Sequence, residues 1–263
     1  MNRYLITGAA GGMGRALCAD LLKAGHEVWG IVRKETEEVP GFHPVIADLQ
    51  STEALEDAAR KVAEEAGELD AIIHMAGVYD LDSLAEMEES AFLRDFDINV
   101  FGAFRTNRLF LPLLKEKGRI VVITSELAPL DPLPFTGIYA VTKAALEKYA
   151  LSLQMELQML GHDVVVIRPG AVDTGMLPAS RRKLDLFCEK TALYRTNAAR
   201  FRSIVEHIEA RSIQPEALSR LVIRALTARH PKPVYTINRN PLLLLMDALP
   251  RRLQLRIIRR ILR

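Results

Sequence analysis

The chain has 263 residues, 49% of them hydrophobic and 26% charged, with a formal net charge of +2; this is an ordinary globular composition, long enough for one α/β domain, and it excludes a disordered or low-complexity chain. Two cysteines, Cys18 and Cys188, in no CxxC or Cys/His cluster, exclude a disulfide framework and point to no metal site. Residues 251–263 hold six arginines and no acid, leaving 29 basic against 33 acidic residues elsewhere, a net −4, which excludes the basic body expected of a nucleic-acid partner.

Taken in chain order, "RYLITG" reads as a first strand and runs into "TGAAGGMGRALC". Gly8, Gly12 and Gly14 form a T-G-x-x-x-G-x-G pattern between this strand and a helix expected over 12–24. Glycines at such a junction allow a tight turn and a close approach of the backbone to a pyrophosphate at the helix N-terminus. The strand begins so early in the chain that no signal peptide is expected, and the cysteines are expected to be reduced thiols of a cytoplasmic protein. Further strands follow at "HEVWGIV", "PVIADL", "LDAIIHMAG", "RIVVITS" and "DVVVIRPG", separated by helices expected at 52–66, 89–117 and 139–160. Strand–helix alternation implies right-handed crossovers, and continuous apolar runs such as "VVVI" suit strands buried on both faces. The fold class expected is therefore α/β: a Rossmann-type, doubly wound parallel sheet with helices on both faces, in a single domain spanning 1–263.

Beyond about residue 175 the rhythm changes. An arginine-rich helical stretch over 175–212 reads as a lid above the substrate, followed by "PKPVYTI" and an amphipathic element over 241–263. The longest apolar run, "PLLLLMDAL", is far shorter than the roughly twenty residues a bilayer crossing needs.

Within the helix expected over 139–160 lies "YAVTK", with Tyr139 four positions before Lys143. Residues so spaced share one face. A phenol holds its proton until about pH 10, and a neighbouring cation favours the phenolate, so Tyr139 could exchange a proton with a substrate oxygen. With the glycine pattern, this pair makes the chain resemble the short-chain dehydrogenase/reductase family over residues 3 to about 176. Other marks fall in the family's order: Asp48 in "VIADL", Ala76 and Gly77 at the end of its N-N-A-G, Asn99 in "DINVFGAF", Ser125 closing "RIVVITS", and Pro169, Gly170 and Thr174 as P-G-x-x-x-T.

The resemblance implies a catalytic set of Asn99, Ser125, Tyr139 and Lys143. Tyr139 would be the general acid in reduction and the base in oxidation; Lys143 would lower its pKa and hold the nicotinamide ribose. Ser125 would hydrogen-bond the reacting oxygen, and Asn99 would hold a water linking Lys143 to solvent. The cofactor would lie on Thr7, Gly8, Gly12, Met13, Gly14, Asp48, Leu49, Ala76, Gly77, Pro169, Gly170, Val172 and Thr174, together with Tyr139 and Lys143.

Three departures stand out. His74 and Met75 occupy the place of two asparagines, and His74 is expected to be structural. Ser125 lies fourteen residues before Tyr139, one more than the family's common spacing, and a strict count would select Glu126; strand register favours Ser125. Glu126 is expected to be a solvated turn acid. At the end of the second strand, Arg33 and Lys34 stand where an acid would favour NAD(H). A positive fork there suits an adenosine 2′-phosphate through charge-assisted hydrogen bonds, so NADP(H) is expected to be preferred over NAD(H).

The resulting expectation is an NADP(H)-dependent oxidoreductase acting on a carbonyl or secondary alcohol of a largely apolar small molecule. Two readings compete: a non-catalytic NADPH-sensing regulator, which has no need of Ser125, Tyr139 and Lys143, and an epimerase or dehydratase on the same fold. Partners expected are a second copy of the chain, as a homodimer or other homo-oligomer, and no nucleic acid. After Pro250, a helix would set Leu253, Ile257, Ile258, Ile261 and Leu262 on one side and Arg252, Arg256, Arg259, Arg260 and Arg263 on the other. Such a helix suits either a peripheral contact with the inner face of a membrane, or packing on its own domain or a second subunit.

Overall fold

Strands and helices alternate in the expected order, with one strand added. The computed structural model describes residues 1–37, 39–174, 176–209 and 211–263, with side chains for all of these but 176–180, 208 and 209. Positions 175 and 210 of the expected lid thus lie outside the described residues. The strands are β1 (Arg3–Thr7), β2 (Glu27–Val32), β3 (Phe42–Ile46), β4 (Leu69–His74), β5 (Leu114–Ile123), β6 (Asp163–Pro169) and β7 (Val234–Ile237). They form one sheet in the order β3-β2-β1-β4-β5-β6-β7, with every neighbouring pair parallel. The order reverses between β1 and β4, so the crevice past the C-terminal ends of these two strands is where a doubly wound sheet receives its ligand.

Helices α1 (Gly12–Lys23) and α8 (Pro215–Thr227) cover one face, where Leu17, Leu21, Leu218 and Val222 pack on Ile6, Ile73 and Val165. On the other face α2 (Thr52–Ala66), α4 (Gly102–Phe110) and α5 (Gly137–Leu157) bury Leu55, Val62, Phe110, Leu146 and Ala150 against Leu5, Ile72 and Val122. The strand runs lack polar alternation because both faces are covered. A third cluster joins α6 (Met176–Lys190) to α7 (Arg195–Glu209) through Leu184, Phe187, Ala198 and Phe201, with Phe135 among them. Polar ties hold this helical pair to the segment after β4. Lys183 pairs with Asp80, Lys190 reaches Asp82 at 2.7 Å, and Glu86 accepts the Ala192 N–H at 2.8 Å.

Three expectations need correction. The helix expected over 89–117 is broken into α3 (Glu89–Phe96), a π-turn at Asp97–Phe101, α4, and a 3-10 turn at Leu111–Leu113; residues 114–117 belong to β5. Pro112 cannot donate to a continuing helix, and the side chain of Asn99 bonds outside the helix within the π-turn. The third strand begins at Phe42 and ends at Ile46, earlier than "PVIADL". β7 was not expected: its four residues follow Pro231 and Pro233, and an edge strand tolerates such prolines. The terminal helix α10 (Arg251–Leu262), expected to suit either a membrane contact or packing on protein, packs on the protein in part. Gln254, Ile258 and Leu262 face the protein, with the Leu262 carbonyl accepting from Asn197 Nδ2 at 2.7 Å, while Leu253, Leu255 and Ile261 stay exposed.

Candidate active site

Two adjoining cavities open past the strand ends, with Met13, Met75, Gly77, Val78 and Thr174 in the walls of both. The roomier, about 510 Å³, lies over the start of α1. Gly8 has φ +71°, and a Cβ there would come within 2.8 Å of the Ala76 backbone; a Cβ on Gly14 would stand 2.2 Å from the Gly8 carbonyl oxygen. A side chain on Gly12 would likewise meet Thr174 at 2.9 Å. The expected glycines therefore hold open a backbone cradle at a helix N-terminus whose first turn carries no acid, which suits a pyrophosphate. Asp48, Leu49, Ala76 and Arg33 line this cavity as expected, and so does Arg15, which the glycine pattern did not single out.

Two expected cofactor residues stand apart. Lys34 is exposed and does not line the cavity, so the positive pair beside Asp48 is Arg33 and Arg15. Thr7 is almost fully buried, and its hydroxyl accepts the Met75 and Ala76 N–H groups at 3.3 Å each. It supports the cradle from behind.

The second cavity, about 150 Å³, contains Ser125, Tyr139, Lys143, Pro169, Gly170, Val172 and Thr174. Ser125 follows the end of β5 and lines the cavity with Tyr139, which stands on the first turn of α5. Strand register thus sets Ser125 in this cavity with the phenol, and the adjacent acid, Glu126, lines it too. Lys143, one turn further along α5, donates from Nζ to the Ile123 carbonyl at 3.1 Å. Asn99 accepts the Val78 N–H at 2.8 Å and donates to the Val78 carbonyl at 3.1 Å and to Thr142 Oγ1 at 3.0 Å. A Cβ on Gly77 would stand 3.1 Å from Asn99 Oδ1 and 3.4 Å from Lys143 Nζ. Glycine at this position thus leaves Asn99 and Lys143 a common clearing.

The electrostatics differ from expectation at Tyr139. Burial pushes its phenol up to about 12; the hydrogen bond from Ser125 acts the other way, and the charge of Glu126 raises it further. Lys143 does not depress it here. Its ammonium lies 5.9 Å from the centre of the phenol ring and points to a strand carbonyl, and its own pKa is driven down to about 8 by burial. Both groups are pushed toward their neutral forms, as desolvation dictates. Glu126 is a second correction: it is 5% exposed and accepts the Asn240 N–H at 2.6 Å, so it is no solvated turn acid.

His74 is structural, as expected. It is buried in β4, its Nε2 bonds Asn107 Oδ1 at 2.7 Å, Asn107 in turn donates to the Tyr149 hydroxyl at 3.0 Å, and burial lowers its pKa to about 4. Met75 beside it forms cavity wall.

Beside Thr124, Glu126 and Thr136, the rest of the second cavity is largely apolar and comes from distant segments: Tyr79, Leu127 and Leu133, then Phe201, Ile204 and Val205 of α7, and Leu243 of α9 (Pro241–Asp247). Phe201, Ile204 and Val205 recur at helical spacing, a pattern that marks an apolar face without telling what it faces. Tyr79 packs edge-on against Tyr139, ring centres 4.6 Å apart. Phe135, just before α5, holds φ +62°, rare for an aromatic residue, while its ring sits among Phe187, Tyr194 and Phe201 and ties the α6–α7 pair to the site.

Comparison with known proteins gives the same picture. The sequence profile of the short chain dehydrogenases matches residues 2–185. The chain is 25% identical over 229 residues to a 3-ketodihydrosphingosine reductase of Bacteroides thetaiotaomicron, covering 86% of this chain and 84% of that one. It is 26% identical over 252 residues to an NADPH-dependent 3-dehydrocapnine reductase of Ornithobacterium rhinotracheale, covering 90% and 88%. Among solved structures, a short chain dehydrogenase of Burkholderia cenocepacia in complex with NADP is similar with a TM-score of 0.71 and 25% identity, over 90% of this chain and 96% of that one.

Proposed function

This chain belongs to the short-chain dehydrogenase family of oxidoreductases, and from that premise we propose that it transfers a hydride between NADP(H) and the carbonyl or secondary alcohol of a largely apolar small molecule. The observation that carries the proposal is the gathering of Ser125, Tyr139 and Lys143 in one largely apolar cavity that shares its wall with the glycine cradle. The bound nicotinamide supplies the hydride in reduction and receives it in oxidation. In reduction Tyr139 gives its phenolic proton to the carbonyl oxygen while Ser125 Oγ hydrogen-bonds the same oxygen; in oxidation the phenol takes the proton back. Lys143 holds the nicotinamide ribose, and Asn99, beside the same clearing at Gly77, holds the water that links Lys143 to solvent. The cradle of Gly8, Gly12 and Gly14 takes the pyrophosphate, with Met13, Leu49, Ala76, Pro169, Gly170, Val172 and Thr174 along the rest of the cofactor. Arg33 and Arg15 favour NADP(H) by receiving a 2′-phosphate; a relative named as NADPH-dependent and a neighbour in complex with NADP support this choice.

The α6–α7 region acts as the lid of the substrate cavity. The apolar wall supports an apolar substrate, and a relative named for a 3-keto compound supports ketone reduction. The protein is proposed to work as a homodimer, since Phe101, Phe104 and Val141 on adjoining elements leave apolar surface that a second copy would cover. Both cysteines are free, which fits a reducing cytoplasm. Peripheral contact with the inner face of a membrane is proposed through α9 and α10. Leu242, Leu245, Leu253 and Ile261 are exposed there beside Arg252, Arg256, Arg259 and Arg260, a surface complementary to anionic headgroups over an acyl boundary. No helix among the described residues is long and apolar enough to cross a membrane.

The test is a panel of ketones and alcohols with NADPH or NADP, followed at the nicotinamide absorbance band. Reduction of apolar ketones with NADPH is expected. Tight NADPH binding without turnover of any compound would point to a sensor and overturn the reading.

A further inference from the structure

The proposed chemistry leaves one buried ionisable group of the substrate cavity unused. Glu126 follows Ser125 directly, and its N–H donates to the Pro169 carbonyl at 2.9 Å, so its backbone is anchored between the ends of β5 and β6. The side chain lines the cavity with Tyr139 and is almost fully buried. One oxygen, Oε2, accepts the Asn240 N–H, and the other, Oε1, stands 3.0 Å from where a Cβ on Gly170 would lie. It is close enough to Tyr139 for its charge to act on the phenol.

An ionised carboxylate offers about four acceptor positions, and one backbone N–H leaves most of that capacity unmet. Among the described residues Arg239, which is exposed, acts on it without an ion pair, and Lys143 in the same cavity wall directs its Nζ to the Ile123 carbonyl instead. Burial pushes the Glu126 carboxyl up from its ordinary range, the response of an acid whose surroundings lack a matching cation. Buried charges are costly unless paired, and Tyr79, Leu127, Leu133, Phe201 and Leu243 make much of the remaining wall apolar.

We infer that Glu126 is the recognition group for a substrate ammonium carried close to the reacting carbon, so that the substrates are amino ketones, or amino alcohols in the reverse direction, with an apolar remainder. This deepens the oxidoreductase reading above and rests on it. A purely structural role, in which Glu126 only tethers the start of α9 through Asn240, is separated by Glu126→Gln, which keeps an acceptor for that N–H and removes the charge.

The experiment measures kcat and KM with NADPH for a long-chain ketone and for the same ketone bearing an amino group on the adjacent carbon. The wild type is expected to prefer the amino ketone by about tenfold to a hundredfold in kcat/KM, the worth of one charge-assisted hydrogen bond, mostly through KM. Glu126→Gln should abolish that preference while the plain ketone is still turned over. As a measurement independent of the variant's folding, a long-chain primary amine should inhibit the wild type more strongly than the alcohol of equal length. A preference that survives in Glu126→Gln, a wild type that favours the plain or a hydroxy ketone, or equal inhibition by amine and alcohol overturns the inference while leaving the reductase reading intact. Absence of turnover with either ketone removes the reading on which it rests.

Discussion

Replacing Lys143 by Met should make the cofactor-free protein more stable while ending its catalysis. Lys143 is 5% exposed, and burial lowers its pKa from 10.5 to about 8. Below about pH 8 the lysine is charged in both folded and unfolded chains, and the folded state bears the full desolvation cost, about 3 kcal/mol for a shift of this size. Above 10.5 it is neutral in both and the cost vanishes. Because the folded pKa is depressed, wild-type stability gains as pH rises from about 8 to 10.5 and loses as pH falls through that window. Methionine fills similar space and carries no charge, but it leaves the Ile123 carbonyl without the Nζ bond of 3.1 Å, a loss of about 1 kcal/mol. The balance is a gain of about 2 kcal/mol at neutral pH, or roughly 4–8 °C in Tm for a chain of this size. Thermal unfolding of both proteins at pH 7, 8, 9 and 10 reads it directly. Tyr139, whose raised pKa destabilises the fold only above about pH 10, affects both proteins alike and cancels in the difference. A variant that melts lower than wild type, or an advantage that does not shrink with rising pH, would refute the reasoning.

Tyr139→Phe removes the proposed proton donor and should lower turnover by about 10²–10⁴-fold with NADPH binding, read by nicotinamide fluorescence, retained; activity within a few-fold of wild type would exclude it as the acid. Arg33→Asp should shift the kcat/KM ratio toward NADH, through repulsion of a 2′-phosphate and a new acceptor for the ribose hydroxyls, and a wild type that already prefers NADH contradicts the role given to Arg33. The full chain should co-sediment with anionic vesicles at low salt and release at high salt, and Arg256→Glu with Arg260→Glu, both exposed, should abolish the binding; wild-type protein left in the supernatant removes the membrane contact.

Local chemistry made much of this protein legible from its sequence. The T-G-x-x-x-G-x-G turn could be read because a backbone cradle needs glycine at particular positions, and Gly8 at φ +71° and the crowded Gly14 show why. The β-branched runs marked six of the seven strands because burial on both faces removes polar alternation. Tyr139 and Lys143 could be paired from spacing alone because a helix stacks positions four apart. Other features depend on segments distant in the chain. β7 is four residues behind two prolines, and only the edge it occupies beside β6 makes it a strand. The break at Asn99 exists because its amide finds Val78 and Thr142, the latter 43 positions away. The reversal at Tyr139 and Lys143 arises because burial, which spacing does not record, outweighs their attraction. Glu126 looked like a turn acid until the loop after β7 closed over it and supplied the Asn240 N–H. Which side of α10 faces the protein was likewise settled by packing: its periodicity defines one broad apolar side, but Ile258 and Leu262 join the α6–α7 cluster, Gln254 bonds the Asp247 and Leu249 carbonyls, and Leu253 and Ile261 are left in the open. A sequence states which surfaces are apolar and which groups can titrate; what lies against them, and hence their charge and exposure, is fixed only when distant segments meet.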